Sequence, residues 1–367
     1  MAHPPLRQTV RRPQRLFYGW WLVAAATANS LVQSAIYSFG FGAFFLPVAR
    51  EFGTGRTALS GAYSFVRLES GLLGPLQGWL IDRFGPRATM YVGYLVFGLG
   101  LALVSHATSL LTFYLAFAVT AVGASLSGFM PTSAVVVSWF VRRRGLALGI
   151  AMSGTSLGGV LVPMLTWSIL THGWRATALG AAGFVWLAGL PLASLMRRSP
   201  EEVGLRPDGD TAPTPGPSGG RAVAHPPEGL TVREALRTRA FWLLASAHAL
   251  SLLVWSAVSV HQIPALVDAG LSESAAATLV GVTAVFMALG RVVGGVLGDH
   301  LGKQRVAATT FFLQSAAMVV LALGRSVPAA LAFALLYGVG FGARGVMMTS
   351  LRGDYFGRRA YASVTGA

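Results

Sequence analysis

The chain has no cysteine, and it has few charges of either sign. Missing cysteine excludes a disulfide scaffold. Only 11% of its 367 residues are charged, against roughly 25% in a soluble globular chain. That shortage excludes an ordinary cytosolic enzyme and a disordered protein. Acids are the scarcer sign: 13 Asp and Glu face 28 Lys and Arg, a formal net charge of +15. Lysine is nearly absent too, with Lys303 alone among the basic residues that are otherwise Arg. What remains is apolar, at 54% hydrophobic residues and a mean hydropathy of +0.61. This describes an all-α polytopic membrane protein. A pI near 11.3 would point to nucleic acid in a soluble protein. Here the basic residues sit between apolar runs, so they read as membrane topology and no nucleic-acid partner is expected.

A membrane-spanning helix needs about 20 mostly apolar residues. Ten such runs occur, over 18–48, 58–81, 89–106, 109–139, 145–170, 174–196, 241–267, 274–297, 304–323 and 328–351. Strands of a membrane barrel would be shorter and would alternate in polarity. The first run follows Arg7, Arg11, Arg12 and Arg15 and is too long for a cleaved signal, so it reads as a retained span with its N-terminus in the cytoplasm. With that orientation, 21 of the 28 basic residues fall inside, four outside, and three within spans: Arg67, Arg291 and Arg344. The asymmetry predicts a multi-pass protein of the cytoplasmic membrane.

From 200 to 230, 13 of 31 residues are Pro or Gly, a composition that cannot build a core. The expected organisation is a cytoplasmic tail over 1–17, a six-helix bundle over 18–196, a cytoplasmic linker over 197–239, and a second bundle over 240–367. Thr231 and Glu234 have capping-box spacing, so a short helix is expected before the seventh span. The halves echo each other. Gly78-Trp-Leu-Ile-Asp82-Arg83-Phe-Gly85-Pro-Arg87 returns as Gly295-Val-Leu-Gly-Asp299-His-Leu-Gly302-Lys303. Trp139-Phe-Val-Arg-Arg-Arg-Gly145 returns as Tyr355-Phe-Gly-Arg-Arg-Ala360. The spacing from Asp82 to Trp139 is 57 residues and from Asp299 to Tyr355 is 56. By this repeat twelve spans are expected, with helix 11 only begun at Ala367 and two helices lying beyond it.

These motifs carry a resemblance. The Gly-x-x-x-Asp-Arg-x-Gly-x-Arg loop, its second-half echo and the long middle linker resemble the major facilitator superfamily. Phe17-Tyr-Gly-Trp-Trp21 opens span 1, and Trp139-Phe-Val-Arg-Arg-Arg-Gly-Leu-Ala-Leu-Gly149-Ile-Ala-Met-Ser-Gly154 leads into span 5. The second stretch is similar to the signature of monocarboxylate transporters and oxalate/formate antiporters. Departures exist: Leu16 and Phe17 replace an acidic residue, span 1 has no lysine, and Met287 stands where an aspartate precedes the span 8 arginine. The charged motif of proton-driven drug exporters is missing from 117–123. The resemblance implies a fold of two six-helix bundles and an anion-binding role for Arg291.

Charged groups inside the hydrocarbon cost about 2.5–3.5 kcal/mol on insertion scales and persist where they meet a cavity or partner. Arg291 and Arg344 each lie eight residues before a charged residue at the inner end, a depth of about 12 Å. A guanidinium keeps its charge and matches a carboxylate bidentately. Both are therefore candidate carboxylate ligands, the plainer alternative being structural bonds to helix carbonyls. Asn29, Gln33 and Tyr37 form a polar stripe on span 1, read as cavity lining or as interhelical hydrogen bonding. Trp255 is a candidate wall of the substrate site or simple packing. Arg67 and Glu69, on different faces of span 2, are candidates for an outer gate or separate pairing. Asp82 and Asp299 are candidate inner-gate carboxylates, able to accept N–H groups of a neighbouring helix start. Gly78, Gly85 and Gly302 belong to the same gate motif, with Arg83, Arg87 and Lys303 as expected partners. His248 and His261 on span 7 are a candidate proton relay, or one hydrogen-bonding group each.

No metal spacing, catalytic constellation or phosphate loop is evident, and no cofactor is expected. The expected function is secondary active transport of a small organic anion, a monocarboxylate or dicarboxylate, by alternating access, with a co-transported proton or an exchanged anion. An exporter of drugs or apolar compounds, and a transport-dead receptor or non-functional fragment, are the alternatives.

Overall fold

The computed structural model describes residues 17–53, 73–210 and 229–367. Regular structure among them is helical, apart from an isolated bridge between Gly229 and Gly357. The helices are α1 (Tyr18–Gln33), α2 (Gly40–Glu51), α3 (73–84), α4 (Pro86–Ser105), α5 (Leu110–Ser127), α6 (Phe129–Trp139), α7 (Arg144–Leu157), α8 (Val162–Leu195), α9 (Val232–Leu236), α10 (Arg239–Asp268), α11 (Glu273–Leu301), α12 (Lys303–Leu323), α13 (Val327–Phe356) and α14 (Tyr361–Gly366). Arg67 and Glu69 lie outside the described residues.

Seven described helical stretches are long and apolar enough to cross a membrane. One of them, Arg144–Leu195, has 52 residues and would be about 78 Å long if straight. A hydrocarbon core is about 30 Å thick. Gly173, at φ 82°, turns the chain inside it, which divides it into the two runs read at 145–170 and 174–196. Leu170, Leu187, Phe312 and Leu323 point outward with at least three quarters of their surface uncovered. Such faces suit lipid rather than water.

Helix starts are set by side-chain caps. Thr238, Ser272 and Ser326 each accept the backbone N–H three residues on, opening α10, α11 and α13. The capping box of Thr231 and Glu234 forms and opens α9. Its carboxylate is held below the usual glutamate range by hydrogen bonds from Thr231. The internal repeat is visible in the backbone. Gly85 (φ 86°) and Gly302 (φ 94°) both precede a long helix in a region closed to side-chain-bearing residues.

The first crossing is not uniform. A π turn over Ser34–Ser38 joins α1 to α2, and a 3-10 turn over Gly158–Leu161 joins α7 to α8. The two irregular turns meet. Ser34 Oγ donates to the Thr155 carbonyl at 2.6 Å, and a β-carbon on Gly158 would lie 2.5 Å from Ser34 Cβ. At the other end of α1 the two motif stretches pack together. The rings of Phe17 and Tyr18 lie 5.7 and 5.4 Å from Trp139, and Trp20 lies 5.0 Å from Phe140.

Helix α4 packs along α5 and α8, α1 along α7, and α13 along both α11 and α12. The α7–α11 contact joins amino-terminal to carboxy-terminal helices at backbone distance. A β-carbon on Gly145 would lie 2.5 Å from the Gly295 carbonyl oxygen, and one on Gly149 would collide with the Arg291 carbonyl. At the far end, past the first apolar run, Glu51 accepts from Trp174 Nε1 (2.6 Å) and pairs with Arg175. Arg175 first, then Trp174, hold the Glu51 carboxyl below its ordinary 4.5. A depressed carboxyl stabilises the fold fully above that ordinary value and loses its contribution as pH falls through the lowered one. Glu51→Gln should therefore lower the thermal unfolding midpoint at pH 7, with the gap to wild type closing in acid. A gap that does not change with pH would rule this tie out.

Candidate functional site

Two of the three charges expected inside the membrane, Arg291 and Arg344, lie among the described residues and find very different surroundings. Arg344 is 2% exposed. It is buried because glycines bring its helix close to two others. A β-carbon on Gly340 would lie 3.1 Å from the Thr310 carbonyl of α12, and one on Gly342 would collide with the Met287 carbonyl of α11. The guanidinium lies over the Phe341 ring, 4.9 Å from its centroid. Among the described residues its Nε and Nη1 have no hydrogen-bond partner. The neighbouring Tyr337 hydroxyl, fully buried, also lacks one.

Arg291, on α11, keeps part of its surface open. Its Nη1 donates to the Met152 carbonyl at 2.6 Å and to Ser156 Oγ at 2.9 Å. Both acceptors are neutral and belong to α7, so the bonds cross between the amino-terminal and carboxy-terminal helices. Among the described residues neither Arg291 nor Arg344 takes part in an ion pair.

Helix α10 faces α13 beside this group. Trp255 stacks on Phe341 with centroids 6.2 Å apart, and Phe341 stacks on Tyr337 at 5.8 Å. His248, two turns from Trp255, is half-buried and its Nδ1 has no partner among the described residues. Arg344 and Arg352 both lie within electrostatic reach of it. His261 is exposed. The structure thus brings Arg344, Trp255 and His248 to one helix interface and leaves His261 apart.

The polar stripe of α1 is turned elsewhere. Asn29 accepts from Tyr94 Oη and donates to the Gly128 carbonyl at 3.5 Å, and Gln33 donates to Ser127 Oγ at 2.8 Å. Tyr37 stacks on Phe117 at 6.0 Å. These bonds run to α4 and to the α5–α6 junction, which is the interhelical alternative for this stripe.

Asp82 and Asp299 are placed as mirror images. Asp82 accepts the backbone N–H groups of Ala362 (3.3 Å) and Ser363 (2.8 Å) at the start of α14. Asp299 accepts those of Gly145 and Leu146, both at 2.8 Å, at the start of α7. A carboxylate at the positive end of a helix satisfies donors that have no partner within it. Gly78 lets α3 approach: a β-carbon there would lie 2.6 Å from Ser363 Cα. The expected basic partners go elsewhere, because helix-start donors occupy both carboxylates. Arg83 lies over the rings of Trp79 and Phe84, Arg87 over Tyr91, and Lys303 bonds Asp354 at 2.6 Å.

One contact escaped sequence reasoning. Arg144 ends a run of three arginines and reads as a topology signal, yet it is 3% exposed. It pairs with Asp354 and donates to the Phe140 carbonyl at 2.9 Å. The one available signal was that Asp354 is the sole acid after Asp299.

The profile of the Major Facilitator Superfamily matches residues 8–367. The chain belongs to that superfamily. Among relatives of this facilitator, a Gibberella moniliformis MFS-type transporter is 28% identical over 277 residues, 74% of this chain and 61% of the relative. Monocarboxylate transporter 13 of Bos taurus is 29% identical over 284 residues, covering 77% of the chain and 62% of the relative. The chain therefore spans about three-fifths of the length of these two. Monocarboxylate transporter 12-B of Danio rerio is 26% identical over 368 residues, covering 95% and 77%. These relatives are transporters, not enzymes. In fold, the facilitator matches a bacterial homologue of the iron transporter ferroportin in an outward-facing state (TM-score 0.69, 19% identity, covering 96% and 89%). It also matches the human organic anion transporter MFSD10 (TM-score 0.61, 16% identity, covering 97% and 89%).

If Asp299 ties α11 to the start of α7, Asp299→Ala removes two charge-assisted bonds, worth about 1.5–3 kcal/mol each before relaxation. Cysteine placed at Leu146, in a chain without native cysteine, should then be labelled faster by a soluble maleimide. Unchanged labelling would mean the contact does not hold that end shut.

Proposed function

We propose that this facilitator is a secondary active transporter of small organic anions, monocarboxylates or dicarboxylates, across the cytoplasmic membrane. One observation carries the reading: among the described residues, Arg344 is buried with Nε and Nη1 unpartnered and no acid paired to it. A permanent charge in such surroundings is costly. An anionic substrate supplies the missing counter-charge, and a carboxylate matches the guanidinium fork. The monocarboxylate transporters among the relatives support the same cargo class.

Alternating access follows from where the halves touch. Asp82, Asp299, Arg144–Asp354 and Arg291 all bond between amino-terminal and carboxy-terminal helices on one side of the bundle or at mid-depth. The distribution of basic residues supports a cytoplasmic location for that side. The bonds of this state close the inner end, so the substrate reaches Arg291 and Arg344 from outside. Release inward breaks the helix-start bonds and the Arg291 bonds to α7. His248, on the α10 face near Arg344, is our candidate for coupling a proton to this cycle; Arg67 and Glu69 remain the proposed outer gate or pairing.

The test is uptake of radiolabelled mono- and dicarboxylates into vesicles bearing the full chain. Arg291→Ala and Arg344→Ala should each lower uptake efficiency by roughly tenfold or more, the equivalent of one charge-assisted hydrogen bond. Full uptake by Arg344→Ala would sink the site assignment, and uptake of apolar compounds insensitive to carboxylates would replace the cargo.

A further inference from the structure

A cavity of about 300 Å³ opens at the inner end of the bundle, away from the transport site. It lies between the α3–α4 turn and the segment leaving α8. Arg87, Arg197, Arg198 and Glu202 line it, with Phe84 and Val203 among its apolar residues. Three arginines against one glutamate leave the cavity with a net charge of +2.

None of the three arginines takes part in a salt bridge among the described residues. Arg198 is held in place by neutral or backbone contacts. Its Nη2 donates to the Asp82 carbonyl at 2.7 Å, and its backbone N–H donates to Glu202 at 3.2 Å. Arg197 Nη1 donates to the Ser194 carbonyl at 3.2 Å, and its own carbonyl accepts from Trp139 Nε1 at 3.1 Å. Arg87 lies against the Tyr91 ring. The guanidiniums are thus positioned without a salt bridge among the described residues, although Arg198 lies within electrostatic reach of the Asp82 carboxylate. The cavity floor includes Gly85 and Pro86, where the 20-residue helix α4 begins, so its positive end adds to the same field.

The surroundings are apolar on the outward side. Leu76, Trp79 and Phe84 near the turn, and Val92, Leu95 and Leu99 along α4, are each about half exposed. The residues at 92, 95 and 99 follow helical spacing and form a stripe rising from the cavity end of α4. A basic cavity that shares the exposed Phe84 with this apolar face, at the end of the helix that carries the stripe, matches the chemistry of one molecule that is anionic at one end and hydrocarbon at the other.

We propose that this cavity binds the headgroup of an anionic phospholipid from the inner leaflet, with its phosphate on Arg87, Arg197 and Arg198 and its acyl chains along the α3–α4 face. The shared chemistry is phosphate, and the apolar stripe selects the lipid over a soluble source. The site is separate from Arg291 and Arg344, and it stands whatever the transported substrate proves to be.

Native mass spectrometry of the detergent-purified full chain tests it, with phosphatidylglycerol, phosphatidylcholine and inorganic phosphate as probes. Wild type should retain phosphatidylglycerol in preference to phosphatidylcholine. A basic residue near a membrane surface changes anionic-lipid affinity by roughly fivefold. Arg87→Gln/Arg197→Gln/Arg198→Gln should therefore weaken phosphatidylglycerol on the order of 100-fold. Glu202→Gln should strengthen it about fivefold, a gain that misfolding cannot mimic. Arg233→Gln/Arg237→Gln, on exposed positions near the far end of the linker, should leave it unchanged. Wild-type affinity in the triple variant, or no gain in Glu202→Gln, would overturn the proposal. Displacement of the lipid by inorganic phosphate at equal concentration would assign the cavity to a soluble phosphate and overturn the lipid source.

Discussion

A guanidinium cannot shed its charge, so each arginine taken from water must find something negative or dipolar. With 28 basic residues and 13 acids, this chain cannot supply a carboxylate to every one. The buried arginines therefore settle into different solutions. Arg144 takes Asp354 together with two carbonyls, at 3% exposure. Arg291 takes a carbonyl and a hydroxyl on another helix. Arg344 takes an aromatic face and leaves Nε and Nη1 without a hydrogen-bond partner. A cation over a ring recovers only part of what a carboxylate would return. The incomplete solution at Arg344 is what the proposed anionic cargo rests on.

The same economy of acids explains the inner end. Two aspartates, Asp82 and Asp299, are spent on helix starts rather than on arginines. Each satisfies two backbone donors that a helix leaves open at its beginning, so one carboxylate holds one helix end against another. Glycines make the approach short enough: Gly78 faces α14 and Gly145 faces Gly295. These contacts are specific in geometry but few, which suits a seam that opens and reforms in the proposed cycle.

Much of this was legible in the sequence because its signals are long or repeated. Apolar runs of about 20 residues announce spans, and Gly85 and Gly302 announce matching turns because only glycine sits comfortably there. The depth of Arg291 and Arg344 followed from helical rise alone. Direction around a helix did not. The stripe of Asn29 and Gln33 is real, but nothing in its spacing says that it meets Tyr94, Gly128 and Ser127 rather than lining a cavity. The Arg144–Asp354 pair joins residues 210 positions apart, and Arg144 is camouflaged by two arginines that stay at the surface. The basic cavity at Arg87, Arg197 and Arg198 was hidden for the same reason, since it assembles three topology residues from two loops.

The central claim is that an anion completes the charge at Arg344. Thermal unfolding of the purified full chain, with and without a panel of mono- and dicarboxylates, measures this directly, because a ligand that binds the folded state raises its midpoint. The account predicts that at least one carboxylate raises the midpoint of wild type and leaves Arg344→Gln unmoved. An equal rise in both proteins, with Arg344→Gln still folded, would contradict it.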